Sequence, residues 1–328
     1  MESTENKVEL LKEQIKNLSA WLWGYTILDK DVELWLSNFN ISENQREDYI
    51  PLLILSQFMF YEQREVRQAL KSLYKDHYIA PLVSKYRSIS NSYNLNEYEN
   101  FINEKLRTTR FSNIGNPSES SSMLLYYFRQ RNNIDKELFV DSCQLLTSAV
   151  DNENVEYLIY LDDLSGSGSQ ATGSLETVIK DIRAKIKNIK ISYFTLFATT
   201  KALKTLIKSN LFDDVGTVFE LDETYRIFSE ESRYFDKKEA ADKKKFEEIC
   251  KNEYKSKWEL GKEDISRNKD KSLNKDECGF GNTQLGLGFF YNVPNNTLPI
   301  FWAESDNWEP IFKRYSKQYA IFKKDKNV

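Results

Sequence analysis

Asp162 and Asp163 stand side by side at the end of an apolar run, Tyr157–Leu161, and a small-residue segment, LSGSGSQ, follows at once. Adjacent carboxylates accept hydrogen bonds from ribose hydroxyls, and they can hold Mg²⁺, directly or through water, beside a pyrophosphate. Successive backbone N–H groups in a Ser/Gly loop make a concave nest for an anion, and Gly166 and Gly168 permit the positive φ angles it needs. The hydroxyls of Ser165, Ser167 and Ser169 add donors, and Gln170 ends the loop. Carboxylates are poor phosphate ligands, so the combination suits a phosphorylated pentose better than bare phosphate. The acids would take the ring hydroxyls and the loop the 5′-phosphate.

Such groups need elements that deliver them to one edge. A buried strand, an acidic pair, a small-residue loop and a helix place polar groups at the carboxyl edge of a parallel sheet, where open α/β folds bind ligands. The flanking pattern agrees. A strand over 155–161 precedes a helix over 174–186, with Leu175, Val178, Ile179, Ile182 and Ile186 apolar. A strand over 189–198, a helix over 201–209 and a strand over 215–221 complete a βαβαβ rhythm that predicts parallel pairing.

Two other glycine motifs compete for the loop. Gly168 and Gly173 have Walker spacing, but Ser174 stands where that motif needs lysine, and the reading fails. Gly166, Gly168 and Ala171 formally fit a dinucleotide fingerprint. That fingerprint wants an acid at the end of the second strand, which here ends in FATTK, so it ranks lower.

Residues 1–106 carry apolar residues at three- and four-residue intervals and read as a helical region. Trp21, Trp23, Trp35, Phe58 and Phe60 read there as core. The segment 107–131 starts basic, crosses a Gly/Pro/Ser loop, and becomes an apolar helix ending in Arg129 and Arg131. Pro117, Ser118 and Glu119 suit a helix start. The loop is either an ordinary cap or a second anion site, with Arg110 and Arg129 as candidates to neutralise a departing pyrophosphate. The Lys/Glu-rich stretch 229–276 reads as a solvated helical insertion, and 285–291 as a buried strand. In NVPNNTLPIFW, Asn295 and Asn296 either read a nucleobase edge or close a turn, while Phe301 is a candidate stacking ring and Trp302 an anchor. The expected division is a helical region over 1–106 and an α/β domain over 107–328.

Bulk properties narrow the class. A chain of 328 residues with 20 Phe, 19 Tyr and 6 Trp can build one large core or two smaller ones. A net charge of −4 argues against a broadly basic nucleic-acid surface. Cys143, Cys250 and Cys278 are too scattered for a disulfide framework or zinc site. The one histidine, His77, excludes a His-rich metal centre and reads as a surface or boundary residue. The polar N-terminus and the lack of a long apolar run lead us to expect a cytoplasmic protein with no membrane association.

The acidic-pair segment resembles the signature of the phosphoribosyltransferase family: an apolar strand, two acids, an apolar residue, two variable positions, then Thr-Gly-x-Thr. Asp162 and Asp163 match the acids, Leu164 the apolar position, and Ser167-Gly168 the Thr-Gly. Gln170 replaces the last threonine, and no flexible loop of the usual kind precedes the strand. The resemblance implies a largely parallel sheet of phosphoribosyltransferase type with a hood-like C-terminal segment. It also implies binding of phosphoribosyl pyrophosphate or a nucleotide with Mg²⁺, and chemistry at the anomeric carbon with Asp162 and Asp163 as the catalytic acids. The blocks 114–129 and 292–302 are similar to the branch of this family found in prokaryotic conflict and antiphage systems, including retrons. That branch implies a defence effector acting with a companion protein or ribonucleoprotein. The alternatives are a non-catalytic nucleotide sensor, which the departure at Gln170 favours, and a scaffold whose acids merely cap loop amides.

Overall fold

A computed structural model describes residues 4–39, 48–114, 120–147, 154–254, 277–305 and 308–314. The chain forms two compact units, one of residues 61–233 and one of residues 1–60 with 234–328. This differs from a division at 106/107. Short strands near each end of the chain pair with one another, so the two termini build one unit, and the helices over 61–106 pack with the sheet.

In the unit 61–233, helix α4 (Gln63–Tyr74) runs through a π-turn (Lys75–Ile79) into α5 (Ala80–Ser90), which stops at Asn91 with φ 53°. Helix α4 buries Val66, Ala69, Leu70 and Leu73, the stripe expected of a helix laid on a core. Helix α6 (Leu95–Arg107) leads into strand β2 (Thr109–Asn113) and then α7 (Ser120–Asn132). A short α8 (Ser142–Leu146) precedes β3 (Tyr157–Ser165), α9 (Ser169–Lys185), β4 (Lys190–Thr199), α10 (Thr200–Lys208) and β5 (Asp214–Leu221). The four strands pair in the order β2-β3-β4-β5, each parallel to the next, so the fold is α/β with a parallel sheet. Leu175, Ile179 and Ile182 of α9 pack with Leu158, Tyr160 and Tyr193 of the sheet. Each such aliphatic side chain contributes about 1.5–3 kcal/mol by leaving water.

Several boundaries differ from the sequence expectation. Strand β3 continues through the acids to Ser165 instead of stopping at 161, and α9 begins at Ser169 rather than 174. Strand β2 was not anticipated: it is short and polar, and buried Phe111 is its main apolar side chain. The buried strand expected over 285–291 is reduced to β6 (Leu287–Phe289).

The other unit contains α1 (Thr4–Trp21), α2 (Asp29–Leu36), α3 (Tyr49–Leu55), α11 (Ala240–Glu253) and a two-stranded sheet of β1 (Met59–Tyr61) with β6. Its core is aromatic. Phe58 stacks on Phe312 at 4.4 Å and Trp35 on Phe301 at 5.6 Å. Trp23, Trp35, Phe58 and Phe60 are buried as expected, but Trp21 is 84% exposed, at the end of α1. The charged stretch also departs from expectation, because α11 buries Phe246 and Cys250. Residues 255–276 and the tail from 315 lie outside the described residues.

His77 occupies the π-turn, half-buried as a boundary residue. Its Nε2 lies 3.0 Å from the Thr217 carbonyl oxygen, and its ring covers Gly216 of β5. A Cβ at Gly216 would lie 2.4 Å from His77 Nδ1. We therefore expect Gly216→Ala to cost about 1–2 kcal/mol by overpacking. In a His77→Ala background that cost should largely vanish, as chemical denaturation of the four variants would show.

Candidate functional site

The carboxyl edge of the parallel sheet gathers the acids, the turn and two helix starts. Asp162 pairs in register with Thr195 of β4, and Leu161, one residue earlier, with Asn113 at the end of β2. Asn113 Nδ2 donates to Ser122 Oγ at 3.3 Å, fixing the first turn of α7 beside this edge. Strand β3 ends at Ser165 and α9 starts at Ser169, so the whole connection is Gly166, Ser167 and Gly168.

Gly168 is the N-cap of α9 and has φ +75°, a conformation glycine adopts without steric cost. Its carbonyl accepts the first intrahelical bond, from Thr172 N–H at 3.1 Å. The turn is clamped from the next strand. Thr199 Oγ1 donates to the Gly166 carbonyl at 2.5 Å and accepts from Ala202 N–H at 3.0 Å, capping α10 as well. Ser167 and Ser169 hydroxyls lie 2.6 Å apart, and Ser169 N–H donates to Ser167 Oγ at 3.3 Å. Ser165 and Gly166 are buried, while Ser169 and Gln170 are exposed in the first turn of α9. Exposed hydroxyls at a helix N-terminus, where backbone amides point outward and the macrodipole is positive, favour an anion.

The two acids are held differently. Asp163 is 9% exposed and Asp162 half-buried. Asp162 Oδ1 accepts from Asp163 N–H at 2.9 Å, and its Oδ2 accepts from the Tyr193 hydroxyl of β4 at 2.8 Å. Burial first, and then the neighbouring Asp162 charge, push the Tyr193 phenol well above its usual range, while a hydrogen bond with Ser165 acts the other way. Tyr193 is therefore a neutral donor at any physiological pH. Opposite it on β3, Tyr160 is bonded to Ser142 Oγ at 2.9 Å, and burial pushes its phenol up to about 12. The two tyrosines were not anticipated from sequence. Their apolar context marked them as core, and only strand register reveals that one reaches an acid.

The two predicted arginines are in the same unit as the acids. Arg110 lies opposite Leu158, four residues before Asp162 on β3, roughly 13 Å along the strand. Its Nη1 donates to the carbonyls of Arg107 and Thr109. Arg129 sits in the last turn of α7, seven residues past Ser122, about 10 Å along the helix, with its guanidinium over the Tyr126 ring at 5.6 Å. The structure thus brings neither arginine to the acids. Lys201, exposed in the first turn of α10, is a basic residue the fold does carry to this edge. Pro117, Ser118 and Glu119 lie outside the described residues, so the second anion loop does too.

Asn295 and Asn296 belong to the other unit. Asn296 is buried, and its Nδ2 lies 3.3 Å from both the Phe280 carbonyl and Thr283 Oγ1, closing a turn. Exposed Asn295 accepts from Phe280 N–H through its carbonyl. Phe301 is fully buried against Trp35, and Trp302 Nε1 donates to the Thr297 carbonyl. These rings and the Asn296 amide are committed to the fold.

Among the described residues no group of three or more His, Cys, Asp and Glu side chains is arranged to hold a metal ion. Mg²⁺ is usually held by one or two protein carboxylates with substrate phosphates completing its shell; consecutive residues of a strand project to opposite faces, so one acid of β3 rather than the pair together fits such an ion. Among the described residues no helix is long and apolar enough to cross a membrane.

No curated protein matches the chain. The PRTase-CE family model matches residues 32–314, a span that contains the whole parallel sheet, its acidic strand and the glycine turn. The chain therefore belongs to the PRTase-CE family and is phosphoribosyltransferase-like.

Proposed function

We propose that the carboxyl edge binds a 5-phosphoribosyl nucleotide or phosphoribosyl pyrophosphate and cleaves or transfers at its anomeric carbon. The observation that carries this reading is the acid pair near the end of β3, a strand joined to the α9 N-terminus by a turn of three residues. The turn and the first amides of α9 would hold the 5′-phosphate, and Asp162 and Asp163 the ring hydroxyls. In the reaction the bond from the anomeric carbon to pyrophosphate or base breaks, with the electron pair leaving on that group. A bond to a base, to water or to another nucleophile then forms. The transition state is oxocarbenium-like, and carboxylates beside the ring stabilise its positive charge. Mg²⁺ held by Asp162 or Asp163, directly or through water, would neutralise pyrophosphate oxygens when bound. Anchoring at the phosphate converts remote binding into positioning of the reacting carbon.

The resemblance to conflict-system proteins supports a role as an antiphage effector in the cytoplasm, in which water as acceptor would make the protein a nucleotide-degrading toxin. A companion protein or ribonucleoprotein would hold that activity in check. Gln170, exposed where the signature has threonine, favours a second reading, a sensor of the same ligands.

Incubating the protein with phosphoribosyl pyrophosphate, Mg²⁺ and each nucleoside monophosphate separates these readings. Release of pyrophosphate or ribose 5-phosphate, followed by phosphorus NMR, is the outcome expected of an enzyme. Binding without product would establish the sensor, and no binding of any of these ligands would refute both.

A further inference from the structure

We propose that Tyr193 is a positioning residue, holding the Asp162 carboxylate in the one orientation that presents it to a ribose hydroxyl. The inference rests on the sugar-phosphate reading of the carboxyl edge and deepens it. A carboxylate turning freely about its side-chain torsions meets a hydroxyl in many orientations. Here each oxygen already accepts a bond from a donor that cannot move. One donor is the Asp163 amide of the same strand, and the other is the Tyr193 hydroxyl. Two fixed donors on two oxygens define the carboxylate plane.

The phenol is itself immobile. Tyr193 is 0% exposed, lies on the interior strand β4 between β3 and β5, and packs its ring on Phe212 at 5.3 Å. Its position is therefore set by the sheet register, where Tyr193 stands opposite Tyr160 and reaches along the strand to the acid two residues further on. Loss of the hydroxyl alone would leave that packing in place and release one side of the carboxylate. The Tyr193 hydroxyl also bonds Ser165, which is buried at the end of β3, so binding of an anion by the exposed start of α9, from Ser169 onward, should not depend on Tyr193.

The test is titration calorimetry on the full chain with two probes, ribose 5-phosphate and inorganic phosphate. It compares the wild type, Tyr193→Phe, Asp162→Ala and the double variant. We expect Tyr193→Phe to weaken ribose 5-phosphate about tenfold, to leave inorganic phosphate unchanged, and to add no further loss once Asp162 is Ala. Equal weakening of both probes would mark a merely structural role and overturn the proposal. So would an unchanged affinity for ribose 5-phosphate, or an undiminished loss in the Asp162→Ala background. Should Tyr193→Phe not fold, 3,5-difluorotyrosine at position 193 keeps the ring and changes only the hydroxyl's donor strength, and a ribose 5-phosphate affinity that does not change with it overturns the proposal. A wild type that binds neither probe refutes the site and this inference together, whereas normal wild-type binding with an unaffected Tyr193→Phe refutes this inference alone.

Discussion

Replacing Asp162 and Asp163 together by asparagine should lower turnover of a phosphoribosyl substrate by about 10²- to 10³-fold while the sheet stays folded. Both acids lie within β3 rather than beyond its end, so their backbone is fixed by the sheet whatever the side chain. Asparagine keeps an acceptor for Tyr193 and nearly the same volume, yet removes the charge that opposes the positive sugar ring. The effect should fall on kcat more than on KM, because phosphate anchoring uses the turn and not the acids. Initial rates of pyrophosphate release against substrate concentration, with circular dichroism as the folding control, provide the measurement. A double variant within about threefold of wild type would mean that the acids take no part in the chemistry.

Gly168→Val should lower unfolding free energy by about 3 kcal/mol and abolish phosphate binding. An L-residue forced into the left-handed region loses roughly 1–2 kcal/mol, and a β-branched one more. A Cβ there would also meet the Ala202 carbonyl at 3.0 Å and Thr205 Cβ at 3.1 Å. Neither can withdraw, because the carbonyl is backbone of α10 and Thr205 lies one turn further along that helix. Gly173 is the contrast. It lies inside α9, and nothing stands within 4 Å of a Cβ built on it. Gly173→Ala should stabilise the protein by about 0.5–1 kcal/mol. Urea denaturation of both variants tests the pair, and similar effects from the two would show that the turn is not constrained as described.

The elements that depend on local pattern were legible in the sequence, and those that depend on distant partners were not. Strands β3 and β4 announce themselves as nearly continuous apolar runs because strands inside a parallel sheet covered by helices are buried on both faces, whereas the edge strand β5, DVGTVFEL, is largely half-buried or exposed. Strand β2 has the sequence TRFSN, and its character comes from pairing with β3. Strands β1 and β6 are three residues each, and the unit they help to build joins the two ends of the chain, a feature no local window contains.

At the site, the acids and the glycine turn were legible because their residue types are unusual beside a buried strand. The length of the turn was not. A Ser/Gly-rich segment looks like an extended wrap, whereas Gly168 in the left-handed region lets the helix begin at Ser169. The arginines were misplaced for a related reason. Charge near a loop in sequence says nothing about which end of a strand or helix it occupies, and Arg110 and Arg129 each sit at the far end of theirs. Tyr193 was invisible because its bond to Asp162 exists only once two strands are in register.

The clamp that Thr199 places on Gly166 has a kinetic implication. Ordering a free backbone residue costs about 1–2 kcal/mol, and binding proteins that wrap a long segment around an anion meet that cost with every encounter. Here folding has already met it, since the same threonine that starts α10 also freezes the three-residue bend. Capture of a phosphate at this edge would then proceed at the pace of diffusion and dehydration, with no slower step in which a loop must first find its shape.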